Sequence, residues 1–271
     1  MKKVEIALST VLYTWKAPLE TAIAKAKRFG YDGVEIRASK PDAWPRDLKK
    51  PGRVHIKELL ERHSLRAVSL TPDWADINLA SSNPSMREES LRQVKEAIEL
   101  AADLEAKYFT ILPGRWRNLA SPPLERAKSL SLESLNECVS FAEKIDVVLC
   151  LEGAVGQILE KEQDLIDAVE KIGSKHFRVA ADTSHAFPLR APISDYFRKL
   201  KRYIEIVHLA DHDGIRRLPL GNGKIDFAEV FKVIEEIDYR GPFVIEVWNP
   251  RDPDLAAREG KAFVDNYLLP H

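Results

Sequence analysis

Four ionisable side chains stand at or near the ends of successive apolar runs of the sequence, with Glu246 inside its run: Glu152, Asp182, His208 and Glu246. Charged groups are rarely buried unless they are paired or bound to a metal ion. Taken singly, each could be a helix cap, an ion-pair partner or a hydrogen-bonded core histidine, but their repetition in four consecutive runs favours one shared site. If they converge, the three carboxylates repel one another without a cation. This mixed oxygen and nitrogen donor set suits Mn²⁺, Mg²⁺, Co²⁺ or Zn²⁺, and the residues alone do not choose among these metals.

The four residues can meet only if their runs are neighbouring strands of one sheet. Eight short apolar runs alternate with longer segments of helical periodicity along the chain. The predicted strands cover residues 4–8, 33–36, 65–70, 107–112, 146–152, 177–182, 204–210 and 242–247. The predicted helices cover residues 18–29, 53–63, 85–104, 124–144, 163–172, 193–200, 227–237 and 253–267, and the helix from residue 85 is expected to start at a capping box of Ser85 and Glu88.

This alternation indicates an α/β fold with a parallel sheet covered by helices. Eight strand–helix units in 271 residues favour a closed (β/α)8 barrel, a TIM barrel, that forms a single domain over residues 1–271. An open doubly wound sheet is the alternative. The segment after the first strand lacks the glycine-rich fingerprint that such a sheet usually carries there.

Active sites of (β/α)8 barrels lie at the carboxyl ends of the strands. That rule selects the polar residues at or just after the predicted strand ends: Glu35, Arg37, Asp73, Glu152, Asp182, His185, His208, Asp211 and Glu246. Four tryptophans fall near the same ends: Trp15, Trp74, Trp116 and Trp248. They could stack on the face of a sugar ring or cap the barrel core.

Composition excludes several other classes of protein. Hydrophobic residues make up 45% of the chain, which is too much for a disordered protein. The 41 Lys and Arg against 42 Asp and Glu give a net charge of −1, which argues against a basic nucleic-acid-binding face. Polar residues interrupt the N-terminal apolar run, and no run reaches the roughly 20 apolar residues of a membrane helix, so we expect a cytoplasmic protein with no membrane partner. Cys138 and Cys150 are expected to be buried and unpaired.

Several segments together resemble one known family, the sugar-phosphate isomerase/epimerase superfamily of xylose isomerase-like TIM barrels. No segment is specific alone, but their order and spacing match the family over essentially the whole chain. The segments are Phe29-Gly-Tyr-Asp-Gly-Val-Glu35, Ile77-Asn-Leu-Ala-Ser-Ser-Asn-Pro84 with Arg87, Leu112-Pro-Gly114, Glu152, Asp182-Thr-Ser-His185, Val207-His208-Leu-Ala-Asp211, Leu220-Gly-Asn-Gly-Lys-Ile-Asp226 and Ile245-Glu246.

The resemblance implies roles for the residues at the strand ends. Glu152, Asp182, His208 and Glu246 would bind one divalent metal ion, and Glu152 and Glu246 would also be the catalytic acid/base pair. The expected reaction is isomerisation or epimerisation of a small keto sugar, sugar phosphate or inosose, by removal of a proton next to a carbonyl through an enediolate. The residues expected to bind this substrate are His185, Arg217, Trp15, Trp74 and Trp116.

Two positions depart from the epimerases. Those enzymes carry a further substrate-binding glutamate where this chain has Ile158, and many relatives end the fourth strand in histidine, where this chain has Leu112-Pro-Gly. These departures leave the keto-sugar specificity open. A dehydratase of the inosose or dehydroshikimate type, which also begins with proton abstraction next to a carbonyl, is the alternative. An endonuclease IV-like nuclease would need several more histidines at the site, and a non-catalytic sugar binder would not need all four ligands. A homo-oligomer is left open.

Overall fold

A computed structural model describes residues 4–72, 76–116, 122–189, 192–248 and 250–268. Its centre is a closed barrel of eight parallel strands, as predicted. These strands are β1 Ile6–Ser9, β2 Gly33–Arg37, β3 Arg66–Thr71, β4 Tyr108–Ile111, β5 Val148–Glu152, β6 Phe177–Asp182, β7 Ile204–Leu209 and β10 Phe243–Ile245. Around the barrel the order is β1, β10, β7, β6, β5, β4, β3 and β2, so β10 closes the ring onto β1.

The eight predicted helices are all present, with ends shifted by a few residues. They are α1 Leu19–Arg28, α2 Lys50–Arg62, α3 Pro84–Asp103, α4 Leu124–Ala142, α5 Glu162–Ile172, α7 Ile193–Leu200, α8 Phe227–Glu236 and α9 Pro253–Leu268. Further elements were not predicted, and three of them lie close to the candidate site. They are the short helix α6 Thr183–Ala186 and the two strands of a hairpin, β8 Asp211–His212 and β9 Arg217–Leu218.

The start of α3 differs from the expected capping box at Ser85. Asn83 caps this helix instead, because its side chain accepts hydrogen bonds from the backbone N–H groups of Ser85 and Met86 at 3.1 and 3.4 Å. Pro84 then occupies the first turn, where its missing N–H has no helical partner to lose.

The apolar core has two parts. The larger part lies between the barrel and its surrounding helices. The smaller part, which we call the lower layer, comprises the buried residues Ala7, Val68, Tyr108, Cys150, Ala180, Ile206 and Val244, each from a different barrel strand. Cys138 and Cys150 are buried and unpaired, as expected. Among the described residues, we find no helix that combines the length and the apolar character needed to cross a membrane.

Candidate active site

Four neighbouring strands bring the predicted metal ligands together. Glu152 and Asp182 are the last residues of β5 and β6, His208 is the penultimate residue of β7, and Glu246 follows β10 directly. Each lies two residues beyond a member of the lower layer, and residues two apart on a strand share a face. The four side chains are therefore stacked above the lower layer, inside the barrel.

The geometry of this cluster fits a divalent cation. Each of the four residues offers one ligand atom, and these atoms all lie within 4.8 Å of one another. All four residues are buried, with at most 3% of their surface exposed. The Oε1 atom of Glu246 is also buried and has no hydrogen-bond partner among the described residues, which leaves it available to a metal ion. Three carboxylates and one imidazole are a donor set that divalent metals accept.

Asp182 combines two functions through its two carboxylate oxygens. Oδ1 caps α6, because it accepts hydrogen bonds from the backbone N–H groups of Ser184 and His185 at 2.6 and 3.2 Å. Oδ2 faces the other ligands and accepts a hydrogen bond from Arg217 Nη2 at 2.5 Å. The helix-cap reading and the ligand reading of this residue are therefore compatible.

Burial and opposite charges compete at each ionisable group of the cluster. Burial raises the pKa of Glu152 to about 7, against the effect of His208. Burial acts the same way on Asp182, but the positive charge of Arg217 is strong enough to hold the pKa of that carboxyl below its ordinary range. Burial opposes protonation of His208, but the carboxylates of Glu35 and Glu152 raise its pKa well above the ordinary value. These shifts follow from the packing of like and opposite charges in a dry interior.

Arg217 reaches the cluster from the unpredicted hairpin. Its guanidinium bridges two of the candidate ligands, with Nη1 bonded to Glu246 and Nη2 bonded to Asp182. Nη2 also lies 3.0 Å from Nε2 of His185. Burial lowers the pKa of His185 to about 4, and Arg217 acts in the same direction, so the imidazole is neutral near pH 7.

The buried side chain of Asp211 holds the hairpin in place. Its carboxylate accepts hydrogen bonds from the N–H groups of Gly223 at 2.8 Å and Ile225 at 3.1 Å, which fastens the loop after the hairpin. A Cβ atom on Gly223 would lie 2.2 Å from Asp211 Oδ1, so only glycine permits this approach. Asp211 is thus a structural residue of the site, not a member of the ligand cluster.

A cavity of about 260 Å³ opens beside the cluster at the carboxyl end of the barrel. Glu152, His185 and Arg217 belong to its polar lining, where a substrate could meet the candidate metal ligands. The remaining lining residues are Leu112, Arg115, Ala154, Val155, Gln157 and Trp248. Ile158, which replaces the glutamate of the epimerases, is buried in the larger core.

The tryptophans occupy different positions. Trp248 lies at the cavity, with the Arg217 guanidinium 5.9 Å from the centre of its ring. Trp15 is 79% exposed, and Trp116 is half-buried and donates a hydrogen bond from Nε1 to the carbonyl oxygen of Pro122 at 3.0 Å. Neither of these two lines the cavity, and Trp74 lies outside the described residues, as does Asp73.

Glu35 was selected as a polar residue at a predicted strand end and lies within a family-like segment, but no specific role was predicted for it. The structure buries this carboxylate completely and places its Oε2 atom 3.1 Å from Nε2 of His208. A charged residue between apolar neighbours in Gly33–Arg37 was the available signal, but its partner lies 173 positions away.

Comparison with known proteins identifies the family. The family model described as xylose isomerase-like TIM barrel matches residues 23–267. The chain is 28% identical to fructoselysine 3-epimerase from Shigella flexneri over 254 residues, which cover 90% of this chain and 91% of that protein. It is 31% identical to D-psicose 3-epimerase from Enterocloster bolteae over 268 residues, which cover 89% and 85% of the two chains.

A solved structure of a D-tagatose 3-epimerase-like protein has the same fold. It superposes with a TM-score of 0.86, covers 97% of both chains and is 24% identical in sequence. The chain therefore belongs to the xylose isomerase-like TIM barrel family, which confirms the resemblance seen in the sequence. The expectation of an enzyme of the isomerase and epimerase kind is also confirmed, since the two relatives named above are epimerases and match over most of the chain.

Proposed function

We propose that this protein is a metal-dependent epimerase that inverts a carbon next to the carbonyl group of a small keto sugar or a derivative of one. The observation that carries the proposal is the buried cluster of Glu152, Asp182, His208 and Glu246, whose ligand atoms meet within 4.8 Å beside a cavity. The similarity to fructoselysine and psicose 3-epimerases supports a 2-ketose as the substrate and its third carbon as the reacting centre.

Glu152, Asp182, His208 and Glu246 would hold the metal ion. When bound, a divalent cation supplies positive charge that stabilises the negative charge developing on the substrate oxygens. The metal could be Mn²⁺, Mg²⁺, Co²⁺ or Zn²⁺, all of which accept this donor set.

The two glutamates carry the proton in this mechanism. One of them removes the proton from the carbon next to the carbonyl, and the electron pair of the broken C–H bond moves to the carbonyl oxygen, which gives an enediolate. The other glutamate returns a proton to the opposite face of the same carbon while the carbonyl re-forms. One proton leaves and one enters, so the product is an epimer of the substrate.

Arg217 and His185 orient the substrate in this proposal. Arg217 is fixed by its two carboxylate partners, and its planar guanidinium can donate to a substrate hydroxyl, phosphate or carboxylate. His185 is partly exposed and neutral, so its ring can donate to or accept from a substrate oxygen. Trp248 offers an aromatic face at the same cavity.

Solvent exchange with a panel of substrates tests the reaction. The metal-loaded protein is incubated in deuterated water with 2-ketoses, their phosphates, sugar-amine conjugates and inososes, and the products are followed by NMR. We expect deuterium next to the carbonyl together with the epimeric product. A product that has lost water would indicate the dehydratase, and no exchange across the panel would contradict an enolising enzyme.

Metal analysis tests the ligand set separately. We expect one divalent ion per chain in the purified protein and its loss in the double variant Glu152→Gln/Glu246→Gln. The single variant Cys150→Ala, two residues below Glu152 on β5, is the matched control and should keep the metal. Full metal retention in the double variant would refute the proposed ligands.

A further inference from the structure

The buried carboxylate of Glu35 contacts the candidate metal centre without belonging to it. Its Oε2 atom lies 3.1 Å from Nε2 of His208, and both side chains are completely buried. The same oxygen accepts a hydrogen bond from the Ser69 hydroxyl at 2.8 Å and a longer one from Thr110 at 3.4 Å. The mechanism proposed above assigns no role to Glu35.

This contact crosses the barrel. Glu35 lies on β2 and His208 on β7, and two strands, β1 and β10, separate them around the ring. Neighbouring strands therefore cannot explain the contact, which joins two sides of the interior through side chains alone. The hydroxyl groups of Ser69 and Thr110, on β3 and β4, donate hydrogen bonds to the same carboxylate oxygen.

The two ring nitrogens of His208 have different surroundings. Nδ1 lies 2.6 Å from Glu152 Oε1 and 3.9 Å from Glu246 Oε2, so it faces the ligand cluster. Nε2 faces only Glu35 among these carboxylates. A neutral imidazole carries a proton on one nitrogen, and only the other nitrogen can bind a metal ion.

We propose that Glu35 is a positioning residue that keeps the proton of His208 on Nε2 and thereby directs the Nδ1 lone pair to the metal. The inference rests on the proposed metal site. A carboxylate that accepts a hydrogen bond from a metal-bound histidine fixes both the tautomer and the orientation of the ring and makes it a better ligand. Glu35 itself touches neither the metal nor the substrate.

A purely structural role for Glu35 predicts a different behaviour. If the contact only ties β2 to β7, its loss lowers the stability of the fold and leaves metal affinity unchanged once the protein is folded. If Glu35 sets the tautomer, metal affinity falls even in variants that fold normally. The amide of glutamine can still accept a hydrogen bond from Nε2, whereas alanine cannot, so the two substitutions should differ in degree.

The first experiment measures Kd for Zn²⁺ by competition with a chromophoric chelator in the full-length protein, its E35Q and E35A variants and the control S69A. We expect Kd to rise about 10–100-fold in E35A. The rise should be smaller in E35Q and smallest in S69A, which keeps the carboxylate itself. Thermal unfolding of each metal-free variant shows whether it is folded. An unchanged Kd in folded E35A would overturn the proposal.

The second experiment reads the proton position in the unaltered protein and uses a variant only to assign the signal. In protein labelled with ¹⁵N-histidine and loaded with Zn²⁺, long-range proton–nitrogen spectra report the state of each ring nitrogen. His208→Gln, whose spectrum lacks one ring, assigns the signal. We expect a proton on Nε2 and none on Nδ1 of His208, and a proton on Nδ1 would overturn the proposal.

The outcomes separate the two proposals. If the unaltered protein binds no divalent ion, the proposed metal-dependent function fails, and the role of Glu35 fails with it. If the unaltered protein binds Zn²⁺ and loses it in the Glu152→Gln/Glu246→Gln variant, but E35A binds with an unchanged Kd, then only the role of Glu35 is refuted.

Discussion

The barrel interior contains two layers with opposite chemistry on the same strands. The lower layer is almost wholly apolar, with Cys150, Ala180, Ile206 and Val244 on the four strands that carry the site. Two residues further along, the same strands carry what we call the upper layer: Glu152, Asp182, His208 and Glu246. A shift of one residue in strand register would turn both layers outwards. Packing of the lower layer therefore fixes where the reactive groups of the upper layer stand.

The largest expected effect lies in the upper layer. In the single variant Glu152→Gln the amide cannot act as a base, so the rate of deuterium exchange into the substrate should fall by about 10²–10⁴-fold. Thermal unfolding of the metal-free variant checks that it is folded, since the substitution weakens the buried pair in which Glu152 Oε1 lies 2.6 Å from His208 Nδ1. Exchange at the rate of the unaltered protein would show that Glu152 does not carry the proton.

The reverse pattern is expected in the lower layer. Ile206→Ala removes a completely buried side chain two residues below His208 on β7 and leaves a cavity. The free energy of unfolding should fall by about 2–5 kcal/mol. Denaturant unfolding measures this loss, and metal analysis of the folded variant should still find one divalent ion per chain. Loss of the metal in folded Ile206→Ala would mean that the two layers are not separable.

The upper layer was predictable because each of its four strands shows an ionisable residue at or near the end of its own apolar run. The alternation of apolar runs and helical patterns predicted the barrel, and the position of Glu152 at the end of its run predicted its place in the site. The contact between Glu35 and His208 was not predictable in this way, because it depends on two distant strands meeting across the interior. The hairpin that carries Arg217 was missed because its strands have only two residues each.

The tryptophans show the limit of the strand-end rule. A residue near the end of a strand is not thereby aimed at the cavity, since the loop decides its direction. Trp15 has a positive φ of 63° and is largely exposed, whereas Trp248 lies at the cavity beside Arg217. Local spacing contains no information on this difference.

An intermediate effect is expected where the hairpin meets the upper layer. Arg217→Lys keeps the positive charge between Asp182 and Glu246 but loses the planar fork that reaches both carboxylates and the substrate. We expect kcat/KM to fall by about 10–100-fold, which corresponds to the ~1.5–3 kcal/mol of one charged hydrogen bond. Steady-state kinetics with the best substrate of the panel measure this fall in kcat/KM. Unchanged kinetics would restrict Arg217 to a structural role.

The smallest effect is expected at the rim of the cavity, farthest from both layers. Trp248→Ala removes an aromatic face that the Arg217 guanidinium approaches at 5.9 Å. An exposed cation–π contact is worth ~0.5–1 kcal/mol, so KM should rise about 2–5-fold. Because Glu152 and Glu246, the proposed acid/base pair, stay in place, kcat should change little. Trp15→Ala is the matched control, since this exposed side chain does not line the cavity, and it should leave KM unchanged. Equal effects of the two substitutions would show that Trp248 does not face the substrate.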